Sequence, residues 1–134
     1  MPKLFCNGDA MRDGRLHHTV ANHTFLGPAL TAPTYRFFSV RDEFPALLLT
    51  DQGGASIEGE LYEVPLHNIR TDFLPAEPVE LELTVIELED GDSALAVALR
   101  PGLADQSAEV TDITEHGAWR RYRGLPYPSD NSTS

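Results

Sequence analysis

Two stretches of this chain hold residue types whose order could support chemistry. The first is Leu4-Phe5-Cys6-Asn7-Gly8-Asp9-Ala10-Met11, in which three apolar residues run straight into a small polar loop. A strand that breaks in this way presents successive backbone N–H groups, and a concavity of N–H groups binds a carboxylate or an amide oxygen. Gly8 offers the backbone freedom that a sharp turn uses. An ordinary turn after an edge strand has the same pattern. The second stretch centres on Glu77, pinned between Pro75 and Pro78 at a strand entrance, after an apolar helix. A carboxylate held in a partly apolar cleft ionises late and can both take and give a proton. A surface-loop carboxylate is the alternative.

Other chemistries have less to stand on. Adjacent His17 and His18 point roughly 100° apart on a helix, and no pair among them and His23, His67 and His116 has the four-residue spacing of a helical zinc site. No metal site and no cofactor are expected. The single cysteine, Cys6, lies in a strand, where cysteine usually packs as a small hydrophobe. There is no Gly-x-Ser-x-Gly elbow and no glycine-rich phosphate signature. Glu58, Glu60, Glu80 and Glu82 alternate with apolar neighbours, the pattern of a solvated sheet face.

The composition narrows the classes further. A net charge of −11 repels a phosphate backbone, so no nucleic-acid partner is expected. Arg120, Arg121 and Arg123 cluster near the C-terminus, suited to a helix end or to salt bridges. No stretch approaches the roughly 20 apolar residues of a membrane span. The N-terminus has no secretory pattern, and a lone cysteine fits a reducing compartment, so a cytoplasmic location is expected.

The elements that must position these residues are short. The 134 residues suit one domain, 1–124, followed by a disordered tail, 125–134. Leu16–His23 reads as a short helix and Thr24–Leu30 as a strand whose Gly27-Pro28 implies an edge or a bulge. Pro33–Val40 is rich in β-formers, and Phe44–Thr50 is an apolar run suited to a buried strand. Ser56–Val64 alternates, with Ile57, Gly59 and Leu61 on one side and Glu58, Glu60 and Tyr62 on the other. Pro65 suits the first turn of a helix over Leu66–Phe73. Val79–Leu88 and Ser93–Leu99 flank the turn signal Asp90-Gly91, with a phase slip at Val85-Ile86 that suggests a bulge. Leu103–Val110 reads as loop. Asp112-Ile113-Thr114-Glu115 reads as a capping box that starts a C-terminal helix, which carries Trp119 and Tyr122 on one face and ends at Gly124.

Several of these segments resemble the γ-glutamylcyclotransferase-like superfamily. Asn7-Gly8-Asp9 stands where that pattern has Tyr-Gly-Ser or Tyr-Gly-Thr, and Gly59-Glu60-Leu61-Tyr62-Glu63-Val64 and Phe44-Pro45-Ala46-Leu47 are similar to its later strands. The closer resemblance is to the C-terminal domain of allophanate hydrolase. It is carried by Ala32-Pro33-Thr34-Tyr35-Arg36-Phe37, by Glu63-Val64-Pro65-Leu66 and above all by Asp112–Tyr122. The chain departs from that domain where Gly-Ala-His-Leu follows the first strand: here Gly8-Asp9-Ala10-Met11 contains no histidine.

The resemblance implies an α+β fold, a compact and mostly antiparallel β-barrel flanked by short helices, with a cavity at the barrel mouth. It implies an enzyme that processes a small amide or amine. Glu77 would move protons, and Asn7, Gly8, Asp9, Ala10, Tyr35, Pro45 and Tyr62 would bind substrate. The rival readings are a non-catalytic ligand-binding module working beside a separate amidase, and a homo-oligomeric structural domain, a homodimer being one form of it. The discriminating observation is whether Glu77 shares a cavity with the Gly8–Ala10 loop.

Overall fold

One hairpin strand organises the sheet. The structure, a computed structural model, describes residues 2–103 and 109–128. Its strands are β1 (Lys3–Cys6), β2 (Thr24–Leu30), β3 (Tyr35–Val40), β4 (Phe44–Leu49), β5 (Glu58–Glu63), β6 (Leu81–Glu87), β7 (Ser93–Leu99) and β8 (Val110–Asp112). β7 pairs antiparallel with β6 along its whole length, from Leu81 opposite Leu99 to Glu87 opposite Ser93. Its other edge is shared: β1 pairs with it in parallel at Leu95, and β4 in parallel at Ala98. A strand covered on both faces needs apolar residues on both, so β7 reads as Ala-Leu-Ala-Val-Ala-Leu without alternation.

From β7 the sheet runs one way through β1 and β5 to β2, and the other way through β4 and β3 to β8. It curls. Beyond β2, Thr31 bridges to Leu88 beyond β6, Ala32 N–H donates to the Glu87 carbonyl at 3.0 Å, and Glu89 N–H to the Leu30 carbonyl at 2.9 Å. The result is the half-closed, mostly antiparallel barrel with few short helices that the resemblance implies. Phe5, Phe37, Leu47, Ile57, Tyr62, Phe73, Ile86 and Trp119 fill its interior.

Strands β2 and β7 span the residues expected, and Gly91 closes the turn between β6 and β7 with φ +89°. Of the two irregularities expected, at Gly27-Pro28 and at Val85-Ile86, only the first forms. β6 keeps an unbroken register through Val85 and Ile86. The register shift falls in β2, between Phe25 and Gly27, beside Pro28 and on an edge strand, as the Gly27-Pro28 pair implies.

The helical run expected over Leu66–Phe73 is present and reaches Ala76, but the other two helices are shorter than the sequence suggests, because side chains pull the backbone into other bonds. Leu16–His23 holds only a 3-10 turn, His17–Thr19. Its start is tied back to the first loop: Leu16 N–H donates to the Asp9 carbonyl at 2.9 Å, and His17 Nδ1 lies 2.9 Å from the Ala10 carbonyl. The capping box at Asp112 does not form. Asp112 ends β8, opposite Phe38, and its carboxylate accepts from Thr114 N–H and Oγ1, not from Glu115. Thr114 Oγ1 in turn accepts the Phe37 N–H at 2.9 Å, holding the chain to β3. Such local side-chain bonds compete with helix formation. A single 3-10 turn forms over Thr114–His116, and α-helix follows at α2 (Trp119–Arg123), where Gly124 ends it with φ +68°. Trp119 is buried against the core, with its ring 5.8 Å from that of Tyr122. Most of the expected loop at Leu103–Val110 falls on residues 104–108, outside the described residues, and Val110 itself begins β8. The expected tail is described only as far as Pro128, within which Tyr127 donates to Glu58 at 2.8 Å.

Candidate active site

Because β1 and β4 share one edge of β7, they diverge, and a cleft opens where they part. The end of β1 contributes Phe5 and Cys6, the start of β4 contributes Phe44 and Pro45, and Val97 lies between them on β7. Asn7, Gly8, Asp9, Ala10 and Arg15 form one wall, and Phe73, Ala76, Glu77 and Pro78 another. The cleft is small, about 60 Å³.

The loop wall is built by two close approaches. A Cβ on Gly8 would sit 2.8 Å from Pro45 Cδ, so only glycine lets β4 pack onto the loop. Gly8 does not adopt a left-handed conformation; close packing explains it, not the turn geometry expected from the sequence. At the loop's base, a Cβ on Gly14 would lie 2.0 Å from the Asp9 carbonyl. Met11 N–H closes a turn onto the Gly8 carbonyl at 3.1 Å. Among the described residues, the N–H groups of Gly8, Asp9 and Ala10 donate to no acceptor. The Asn7 side chain is buried, and its Nδ2 has no partner among the described residues. A buried donor left unpaired is costly.

The opposing wall delivers one carboxylate. Pro65 precedes α1 (Leu66–Asn68), which continues as a π turn over Ile69–Phe73 and a 3-10 turn over Leu74–Ala76. Ile69 and Phe73 anchor this run in the core. Glu77 N–H caps it on the Leu74 carbonyl at 3.0 Å and the backbone turns extended there, between the two prolines. The half-buried Glu77 carboxylate has no hydrogen-bond or ion-pair partner among the described residues. Burial, and then the negative charge of Asp9, raise its pKa to about 7. Asp9 is itself paired with Arg15 at 3.1 Å. Cys6, which also lines the cleft, has its thiol pKa pushed well up by burial, with Glu77 and Glu60 adding to the effect, which disfavours the reactive thiolate.

The fold therefore brings together Asn7, Gly8, Asp9, Ala10, Pro45 and Glu77. Tyr35 and Tyr62 stand outside the cleft walls. Tyr35 is buried, and its hydroxyl accepts the Glu87 N–H at 3.0 Å; Tyr62 is buried and donates to Glu60 at 3.0 Å. Arg15, which the sequence reading passes over, lines the cleft as its cation. Glu60 also departs from the solvated sheet face expected for it: it is 1% exposed, facing inward from β5. Burial pushes its pKa up, yet the Arg12 N–H and guanidinium, the Tyr62 hydroxyl and Arg120 bring it net below the ordinary carboxylate value. The signal was present in Glu60-Leu61-Tyr62, since residues two apart on a strand share a face and Tyr62 is a core aromatic.

A small curled-sheet domain, with an unpaired carboxylate facing a glycine loop across a cleft at a strand fork, is the class of protein that this geometry defines. The chain belongs to the allophanate hydrolase C-terminal domain family, which it matches over residues 2–124. It is similar to a uropathogenic E. coli-specific protein, with 29% identity and a TM-score of 0.85 over 94% of this chain and 98% of that one. It is also similar to Kluyveromyces lactis allophanate hydrolase, with 25% identity and a TM-score of 0.83 over 92% of this chain but 21% of that one. An AIG2-like protein from Mus musculus shares the fold, with 23% identity and a TM-score of 0.62 over 98% of each chain. No curated protein matches the sequence.

Proposed function

We propose that this domain processes a small amide by acid–base chemistry, with Glu77 as the proton-transfer group. The single observation that carries the proposal is that Glu77, half-buried and unpaired, lines the same cleft as the unengaged donors of the Asn7–Ala10 loop. When an amine attacks an amide carbonyl, the attacking nitrogen loses a proton and the leaving nitrogen gains one. One C–N bond forms and another breaks, with no net change in protons. A carboxyl group with a pKa of about 7 is present in both forms near neutral pH, so Glu77 can take the first proton and return it. The oxygen that gains charge on the way is met by Asn7 Nδ2 and the loop N–H groups. The pair Asp9–Arg15 offers a contact to a ligand ammonium and another to a ligand carboxylate, which favours a zwitterionic ligand over a simple anion.

A second reading has its own support. The similar domain is about a fifth of the K. lactis allophanate hydrolase chain, and Gly8-Asp9-Ala10-Met11 holds no histidine where the resemblance implies Gly-Ala-His-Leu. On that reading the cleft binds a ligand without turning it over, beside an amidase supplied separately. The two separate in one screen of γ-glutamyl amines and urea-derived amides with wild type and Glu77→Gln. Turnover by wild type that Glu77→Gln abolishes while keeping its fold supports catalysis. Equal turnover by both removes Glu77 from the mechanism. A ligand that shifts the melting temperature of both without turnover favours the binding module.

A further inference from the structure

Glu60 joins three parts of the chain behind the cleft. Its Oε1 accepts the Arg12 backbone N–H at 2.8 Å and the Tyr62 hydroxyl at 3.0 Å; its Oε2 accepts Arg12 Nε at 2.9 Å and Arg120 Nη2 at 3.3 Å. Arg120 Nη2 also donates to the Arg12 carbonyl at 2.8 Å. Both main-chain polar groups of Arg12 are thus held by side chains, one from β5 and one from α2. Arg12 lies two residues beyond Ala10, so the clamp closes on the far end of the loop whose near end leaves β1. The Arg12 guanidinium is further fixed over the Phe25 ring, 4.4 Å from its centroid.

A set of a buried glutamate, a buried arginine and a second, partly buried arginine is a poor way to gain stability, because desolvating the charges offsets their attraction, and apolar residues of similar volume often do as well. What such a set does supply is direction. Each bond fixes an angle as well as a contact, and a carboxylate pulling on a backbone N–H sets the path of the chain. We propose that Glu60 is a positioning residue of the cleft: through Arg12, clamped from the other side by Arg120, it holds the Asn7–Ala10 loop against Glu77. The proposal takes from the functional reading above only that this cleft is the site. It also gives a role to Arg120 of the C-terminal motif, which neither the cleft nor the core otherwise requires.

The test reads the ionisation of Glu77 in the full chain by carbon-detected NMR titration, and so does not depend on finding a substrate. The titratable and charged groups lining the cleft with Glu77 are Asp9 and Arg15 from the loop and Cys6 from β1. Release of the loop moves Asp9 away and admits water. In Glu60→Gln, which keeps the shape but loses the charge, the Glu77 midpoint should fall by about one pH unit or more. Arg120→Met, which breaks the clamp from the helix side, should move it the same way. Arg121→Gln is the control: it lies on the same helix but binds the His116 carbonyl and Glu58, and should leave the midpoint unchanged. An unchanged midpoint in the folded variants overturns the proposal, as does an equal shift in Arg121→Gln or an ordinary carboxylate midpoint in wild type. Loss of the fold in both Glu60→Gln and Arg120→Met also overturns it, because the clamp would then be holding the domain and not the loop.

Discussion

Glu77 should make the protein less stable as the pH rises from 4.5 to about 7, and the size of the effect can be worked out. The carboxyl has an ordinary pKa of 4.5 in the unfolded chain and about 7 in the cleft. The folded state therefore holds the proton more tightly. The resulting stabilisation is fully present below pH 4.5 and is lost as the pH climbs to about 7, where the folded group ionises. At about 1.4 kcal/mol per unit, the full shift corresponds to roughly 3 kcal/mol; solvent at the open side of the cleft reduces it to an expected 2–3 kcal/mol, roughly. Glu77→Gln cannot ionise and keeps the shape. It should match wild type in stability near pH 4 and exceed it by roughly 2–3 kcal/mol near pH 8.

The comparison must be a difference between the two proteins, because other carboxylates pull the opposite way. Glu60, Asp42 and Asp112 have lowered pKa values, so the stability they contribute is lost as the pH falls. These contributions are common to wild type and variant and cancel. Urea unfolding at half-unit steps between pH 4 and 8.5 gives the curve. A difference that stays flat from pH 4.5 to 7 would refute the reasoning, since it would mean that Glu77 is either solvated or paired in the folded protein.

Two further outcomes follow from packing. Trp119→Ala should cost about 3–5 kcal/mol, because the indole is buried between α2 and the core; an unchanged Tm would show that the helix is not docked through it. Gly8→Ala places a methyl group 2.8 Å from Pro45 Cδ and should destabilise by about 1–3 kcal/mol, and Pro45→Ala in the same chain should recover part of the loss. Additive losses in the double variant would mean that the two residues do not meet.

Much of the framework is a local property of the sequence. A strand such as β2 or β7 follows from alternation or apolar continuity bounded by turn residues, and the Asp90-Gly91 turn needs little besides a residue tolerant of positive φ. Gly124 ends its helix for the same local reason. The Pro75-Ala76-Glu77-Pro78 segment fixes its own backbone, which is why Glu77 could be singled out before any fold was known.

What the chain does not encode locally is which groups satisfy one another across it. The Asp112 capping box is sound as a local pattern, but β8 pairs with β3 and Thr114 bonds to Phe37, and those distant bonds displace it. Glu60 alternates like a surface residue, yet two arginines 48 and 60 positions away make its burial possible. Whether Glu77 met the Gly8 loop depended on β1 and β4 forking along a single edge of β7. An ionisable side chain takes its character from what surrounds it, and the surroundings of Glu77, Asn7 and Glu60 exist only once the sheet has curled.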